Sequence, residues 1–258
     1  WYFFYGGSND NALEVDNAAE VEKVMALIAC HSDKDCKQDG KIGMCSNPGT
    51  KNSECSYLDD VEVKLTILAT NECFNCDTGR VLSIVKSFYP NLEIKSVNID
   101  TEEGKGIAEQ FKLNALPAYI LNGSLVDTQN YDKFSNAFSE INGNFLMKNT
   151  VSNANYYVNR QEIERKLDLI VQDGKEASIQ AEENLKEFLD AFEGKVNFEK
   201  HGSSSTLAKQ LGVNSFPVFF VNNKNKFSGV QAAETIKENF CQLNDLQECS
   251  LELSKNLI

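Results

Sequence analysis

Two proline-headed apolar runs constrain this chain most: Leu116-Pro117-Ala118-Tyr119-Ile120-Leu121 and Phe216-Pro217-Val218-Phe219-Phe220-Val221, with their prolines 100 residues apart. Proline lacks the backbone N–H that a strand interior must donate, so each run reads as a short buried strand opening at its proline. A spacing of this length is the size of a domain, and it suggests an internal repeat. The flanking segments repeat in kind. Val63, Leu65, Ile67 and Leu68 read as a buried strand, and from Asp77 onward Val81, Leu82, Ile84, Val85 and Phe88 have the spacing of a helix. Leu92 to Asp100 is a strand and Gly106 to Leu113 a short helix before the first proline. The second unit has a strand at Leu167 to Val171, a helix at Ala177 to Phe192, a strand at Lys195 to Glu199 and a short helix at Ser205 to Leu211. After its proline run come a strand around Lys226 to Val230 and a helix from Glu234 to Phe240.

Between the first strand and its helix lies Cys73-Phe74-Asn75-Cys76. A thiolate at a helix N-terminus faces unpaired N–H groups and the positive end of the dipole, which would favour the nucleophilic form of Cys73. Cys76 is close enough to attack a mixed disulfide and release its partner. Zinc ribbons also use this spacing, but they need a second Cys or His pair at matching distance, which the chain lacks.

The paired cysteines, the Val97-Asn98-Ile99-Asp100 strand end and the Ala108-x-x-Phe111-x-Leu113-x-x-Leu116-Pro117 segment occur in an order that resembles the thioredoxin family, over residues 61 to about 142. The resemblance implies an α/β chain of two tandem thioredoxin-like domains with a cysteine-rich N-terminal extension. It implies a cis peptide at Pro117, with Leu116 and Pro117 presenting backbone to a bound substrate. It further implies a thiol-disulfide oxidoreductase or isomerase without cofactor or metal, in which Cys73 attacks and Cys76 resolves. Its partners would be cysteine-containing protein substrates and a redox partner. The chain departs from the family at several points. Glu72 would disfavour a neighbouring thiolate, while Asn75 could donate a hydrogen bond to one. The acid that the family buries on the preceding strand would fall near Thr66 or Ile67 and is absent. Counting back from Pro217 lands near Asp173 to Glu176, where there is no cysteine, so the second unit would serve substrate binding or architecture. The competing reading is a non-catalytic binding or scaffold protein in which Cys73 and Cys76 form a static bond.

With 25 basic against 38 acidic residues, a net charge of −13 argues against nucleic acid and anionic membrane surfaces as partners. Eight cysteines leave six outside the CxxC, which reads as three structural disulfides in an oxidising, extracytoplasmic compartment. Cys30, Cys36, Cys45 and Cys55 lie in a polar insert that cannot bury enough apolar surface to order itself. Four cysteines allow three pairings; Cys30 with Cys45 and Cys36 with Cys55 is preferred here, though the sequence does not choose, and a four-cysteine zinc site is the rival. Asp33, Asp35, Asp39 and Gly40 read as turn residues, because Lys37 stands where a calcium loop needs a ligand. Cys241 and Cys249 would fasten the C-terminal tail to the last helix. His31 and His201 read as surface residues.

The expected divisions are 1–58 for a helix (Asp16 to Ile28) and the stapled segment, 59–142 for the first unit, 143–163 for a linker rich in Asn and Ser, and 164–258 for the second. Tyr156, Tyr157 and Val158 could add a short strand within the linker. Trp1-Tyr2-Phe3-Phe4-Tyr5 is an aromatic run of the kind found where a membrane helix reaches the interface, so a membrane anchor before residue 1 is one reading and a packed aromatic cluster the other.

Overall fold

The structure, a computed structural model, describes residues 28–257. The expected helix from Asp16 and the aromatic run at residue 1 lie outside the described residues. The fold is mixed α/β, and the chain divides between Asp60 and Val61 into two compact units.

In the smaller unit, strands β1 (Lys41–Ser46) and β2 (Glu54–Asp59) form an antiparallel hairpin. Cys45 and Cys55 face each other across it, yet each is bonded to a cysteine of the preceding loop: Cys30 to Cys45 and Cys36 to Cys55. Apolar burial is nearly confined to the sulfurs, with Cys30 and Cys36 at 1% and 4% exposure. Loops of 15 and 19 residues are closed by these bonds, each worth roughly 3 kcal/mol in the loop-entropy account, which offsets the missing core. Gly43 is required here, because a Cβ would lie 1.8 Å from the Cys36 carbonyl oxygen.

The larger unit contains two sheets of matching order. In the first half, β3 (Val63–Ala69) runs parallel to β4 (Leu92–Asn98) by way of helix α1 (Thr78–Phe88), and antiparallel to β5 (Ala118–Leu121). Helix α2 (Glu102–Gln110) joins β4 to β5. The sheet is completed by β7 (Asn144–Met147) beside β5 and by β6 (Phe138–Ile141) at the edge. In the second half, β8 (Lys166–Val171) is parallel to β9 (Asn197–Gly202) by way of α3 (Glu176–Ala191), and antiparallel to β10 (Val218–Val221). β11 (Asn225–Ser228) closes that sheet, with α4 (Thr206–Gln210) before β10 and α5 (Ala233–Cys241) after β11. The orders β4-β3-β5-β7 and β9-β8-β10-β11 correspond strand for strand. The halves differ at their ends: α5 covers the second sheet, whereas a single turn at Asn149–Ser152 follows β7 in the first.

Segment 143–163 was expected as a linker, but its beginning is a sheet strand. Asn142 and Gly143 both have positive φ, 52° and 74°, the geometry of the tight hairpin turn for which Asn-Gly is the preferred sequence. The same turn pairs β6 with β7. Helix α2 also begins earlier than expected. Thr101 caps it by accepting from the Gly104 N–H, and Gly104 lets the helix approach the Asn98 carbonyl, which a Cβ would meet at 2.1 Å. Each sheet buries both faces. Val63, Leu65 and Ile67 pack on Val81 and Val85 of α1, while Leu68 packs on Phe111, Leu113 and Leu116. Leu167, Leu169 and Val171 pack under α3 and α5, and Ile170 packs with Ala208 and Leu211 on the opposite face.

Candidate functional site

Cys73 and Cys76 are half-buried in the loop between β3 and α1 and are bonded to each other. Helix α1 begins only at Thr78. Asp77 is its cap, accepting from the Gly79 N–H at 2.8 Å. Cys73 therefore stands four residues before the cap, and the expectation that it sits at a helix N-terminus is corrected. The cause is local: the Asp77 carboxylate occupies the dipole position, so Cys76 is the nearer sulfur.

The Leu116-Pro117 peptide is cis, as is Phe216-Pro217. Leu116 and Pro117 are buried, and the Leu116 carbonyl oxygen lies 3.4 Å from the Cys76 sulfur. The structure thus brings Cys73, Cys76, Leu116 and Pro117 to one place at the end of the first sheet. It does not leave the Leu116 backbone open. Leu116 N donates to the Tyr156 carbonyl at 2.8 Å, and Leu116 O accepts from Tyr156 N at 3.1 Å and from Asn155 N at 2.8 Å. The edge expected to present backbone to a substrate is occupied by the chain itself.

Asn75 also departs from expectation. Its Nδ2 donates to the Lys226 carbonyl of β11 at 2.8 Å, which leaves Oδ1 facing the Cys73 sulfur at 3.4 Å. An acceptor pointed at the sulfur gives no hydrogen bond to a thiolate, and the amide nitrogen is turned toward the second half. Glu72 accepts a hydrogen bond from the Tyr156 hydroxyl. Burial first, then this hydrogen bond and the Glu72 charge, push the Tyr156 phenol well above its ordinary range. A cavity of about 300 Å³ opens beside the disulfide, lined by Glu72, Phe74, Tyr156, Glu162, Lys224 and Asn225.

The second half has no cysteine at the equivalent loop. By strand register Asp168 corresponds to Thr66, since each pairs with the third residue after its proline, Phe220 and Ile120. Lys175 then stands where Cys73 stands in the first half. Asp168 is fully buried and contacts His201 Nε2 at 2.7 Å and Lys166 Nζ at 3.3 Å. Burial works against the Lys166 charge, but the Glu199 hydrogen bond and Asp168 outweigh it and hold its pKa above the ordinary value. His201, expected at the surface, belongs to this group; no local pattern in the sequence joins β8 to β9. Asp168, Glu199 and His201 could gather round a cation, yet the Lys166 ammonium already lies within 3.3 Å of both carboxylates. The remaining pair, Cys241 and Cys249, is bonded and ties α5 to the tail. His31 is exposed. Among the described residues no helix is long and apolar enough to cross a membrane. Four disulfides among these residues fit maturation in an oxidising, extracytoplasmic environment.

No protein-family model matches the chain, and no curated protein does. Among solved structures, the crystal structure of ERdj5, form I, is distantly similar, with a TM-score of 0.28 and 10% identity over 71% of this chain. The chain spans about a quarter of that protein's length, 27%. So small a likeness carries no argument beyond its existence.

Proposed function

We propose that the chain is a thioredoxin-like thiol-disulfide oxidoreductase acting on polypeptide thiols or disulfides outside the cytoplasm. The observation that supports this most is the Cys73–Cys76 disulfide set against the cis Leu116-Pro117 peptide, with the Cys76 sulfur 3.4 Å from the Leu116 oxygen. The matching strand orders of the two sheets support two tandem thioredoxin-like domains, of which only the first carries the pair. The second would bind substrate or hold the first in place.

In the oxidised form a substrate thiolate attacks the Cys73 sulfur, and the Cys73–Cys76 bond breaks. Cys76 leaves as a thiolate and takes a proton from solvent. A second substrate thiolate then attacks the substrate sulfur of the mixed disulfide and releases the Cys73 thiolate. The substrate loses two electrons and the chain gains them; with Cys73 attacking a substrate disulfide and Cys76 resolving, the same steps run in reverse. No cofactor enters. A redox partner of dithiol or disulfide type would restore the starting form.

The second reading, a static disulfide in a binding or scaffold protein, is favoured by the pairing of Leu116 with Tyr156. Peptide-resolved alkylation across a graded redox buffer separates the two. The exchange reading expects the Cys73/Cys76 peptide alone to titrate, with a midpoint between about −270 and −120 mV, and Cys76→Ser to trap substrates on Cys73. A pair that resists reduction like the other six cysteines would leave only the static reading.

A further inference from the structure

Residues Asn155-Tyr156-Tyr157 run between the two sheets as a strand about one residue deep. On one flank they use both hydrogen-bonding groups of Leu116. On the other, Tyr157 N donates to the Lys224 carbonyl at 2.8 Å and Lys226 N to the Asn155 carbonyl at 2.9 Å. The antiparallel bridges Leu116 to Tyr156 and Tyr156 to Asn225 make the segment a guest strand in an edge that would otherwise be open. We propose that this segment is an internal strap filling the place where an extended polypeptide substrate would pair. Exchange of Cys73–Cys76 with a protein substrate then waits on strap release, while exchange with a small thiol does not. The proposal rests on the exchange reading above.

Two observations carry it. The pairing at Leu116 uses one donor and one acceptor of the edge residue in the manner of a β-ladder, which is how an added peptide strand is held. At the disulfide loop the strap is fastened by the Tyr156 OH bond to Glu72, with Lys224 Nζ 5.3 Å from the centre of the Tyr156 ring. The buried Tyr157 is anchored in the second half by its OH bond to the Leu211 carbonyl at 2.6 Å, so release is confined to the Tyr156 side. The occupant that replaces the strap is an extended chain carrying a cysteine and an aromatic side chain to take the Tyr156 position. Glu72 and Glu162 on the cavity wall favour neutral or basic flanking residues over acidic ones.

The test uses the full oxidised chain with two reductants, dithiothreitol and an extended dithiol peptide with an aromatic residue beside its first cysteine. Loss of the Cys73–Cys76 bond is followed by peptide-resolved alkylation. Tyr156→Phe keeps the ring and removes the bond to Glu72. The ratio of peptide rate to dithiothreitol rate is expected to rise about tenfold in this variant, the factor given by losing one hydrogen bond to a charged acceptor. A ratio that stays or falls overturns the strap. Hydrogen exchange on the Cys76→Ser peptide adduct, with the native strap, gives a second reading. Tyr156 N–H should lose protection while Leu116 N–H keeps it, now paired with the peptide; both remaining protected overturns the strap as well. A Cys73–Cys76 bond that dithiothreitol itself leaves intact fells the exchange reading instead.

Discussion

Asn75 shows how much of the geometry of the Cys73–Cys76 loop is decided by contacts far along the chain. Its donor goes to Lys226, 151 residues away, and its acceptor is left toward Cys73. Asn75→Ala should cost about 1 kcal/mol by removing that bond, which lowers the thermal midpoint by roughly 2–4 °C for a unit of this size. Asn75→Asp should cost more, because it replaces the donor with a carboxylate facing the Lys226 carbonyl. Thermal unfolding of the native chain and the two variants checks the order, and an Asn75→Ala midpoint equal to the native one would mean that the bond to Lys226 contributes nothing. The paired cysteines and a helix running from about Asp77 were legible in the sequence, since helical spacing is a local signal, but the capping by Asp77 that sets Cys73 back from the helix was not read. The role of Asn75 was not. A side-chain bond to a residue in another half leaves no periodic trace, and neither does the burial of Asp168 beside His201.

Among the elements, the proline-headed strands β5 and β10 were the most legible, because proline at the head of a four-residue apolar run excludes most other placements. The β6–β7 hairpin was missed although its signal was present: Asn142-Gly143 between two short apolar runs. Asn-rich surroundings disguised it as loop. Helix α5 and the tail make a further element whose fastening can be tested. Glu234 accepts from Leu253 N at 2.8 Å and pairs with Lys237 at 2.9 Å, while Lys237 also donates to the Leu251 carbonyl. The Leu253 N–H first, and then Lys237, hold the Glu234 carboxyl below its ordinary pKa. A lowered folded value means that this stabilisation is present above the unfolded pKa, about 4.3, and is lost as pH falls through the folded one. The protection factor of the Leu253 amide should therefore drop on acidification below about pH 4.3 in the native chain. In Glu234→Gln it should be lower at neutral pH and flat across the same range. A native profile as flat as the variant's would remove the carboxylate from the account. The Cys241–Cys249 bond closes 8 residues and contributes roughly 2–3 kcal/mol more, so the tail should stay attached when only the carboxylate is lost.

At the scale of the whole Val61–Ile258 unit, the two halves are joined by the 155–157 segment, by the Asn75 bond to Lys226 and by Ala115 packing with Ile170 and Phe220, and contacts so far apart along the chain left their docking invisible in the sequence. Two tyrosines and a valine suggest a strand and no more. The docking makes a prediction about alkaline pH. Tyr119, Tyr156 and Tyr157 are all buried, and burial is the first cause that pushes each phenol well above 10. In the unfolded chain each would ionise near pH 10. A raised folded value means that the stabilisation is whole below pH 10 and is lost as pH rises toward the folded values. Above pH 10 the unfolded state binds up to three fewer protons than the folded one, so stability should fall by at most about 4 kcal/mol per pH unit. Lys226 works in the opposite sense, because burial lowers its pKa; its contribution is complete by about pH 10.5 and cannot reverse the fall. Tyr156 and Tyr157 belong to the strap, and Tyr157 OH also donates to the Leu211 carbonyl at 2.6 Å. Their ionisation should therefore accompany separation of the two halves. Urea unfolding at about pH 9 and about pH 11, followed together with tyrosinate absorbance, checks this. Stability should drop steeply between the two, with a tyrosinate fraction that appears only as the chain unfolds. Tyrosinate absorbance rising in full before unfolding would show these phenols to be open to solvent, and the packing argument for the strap would fail with it.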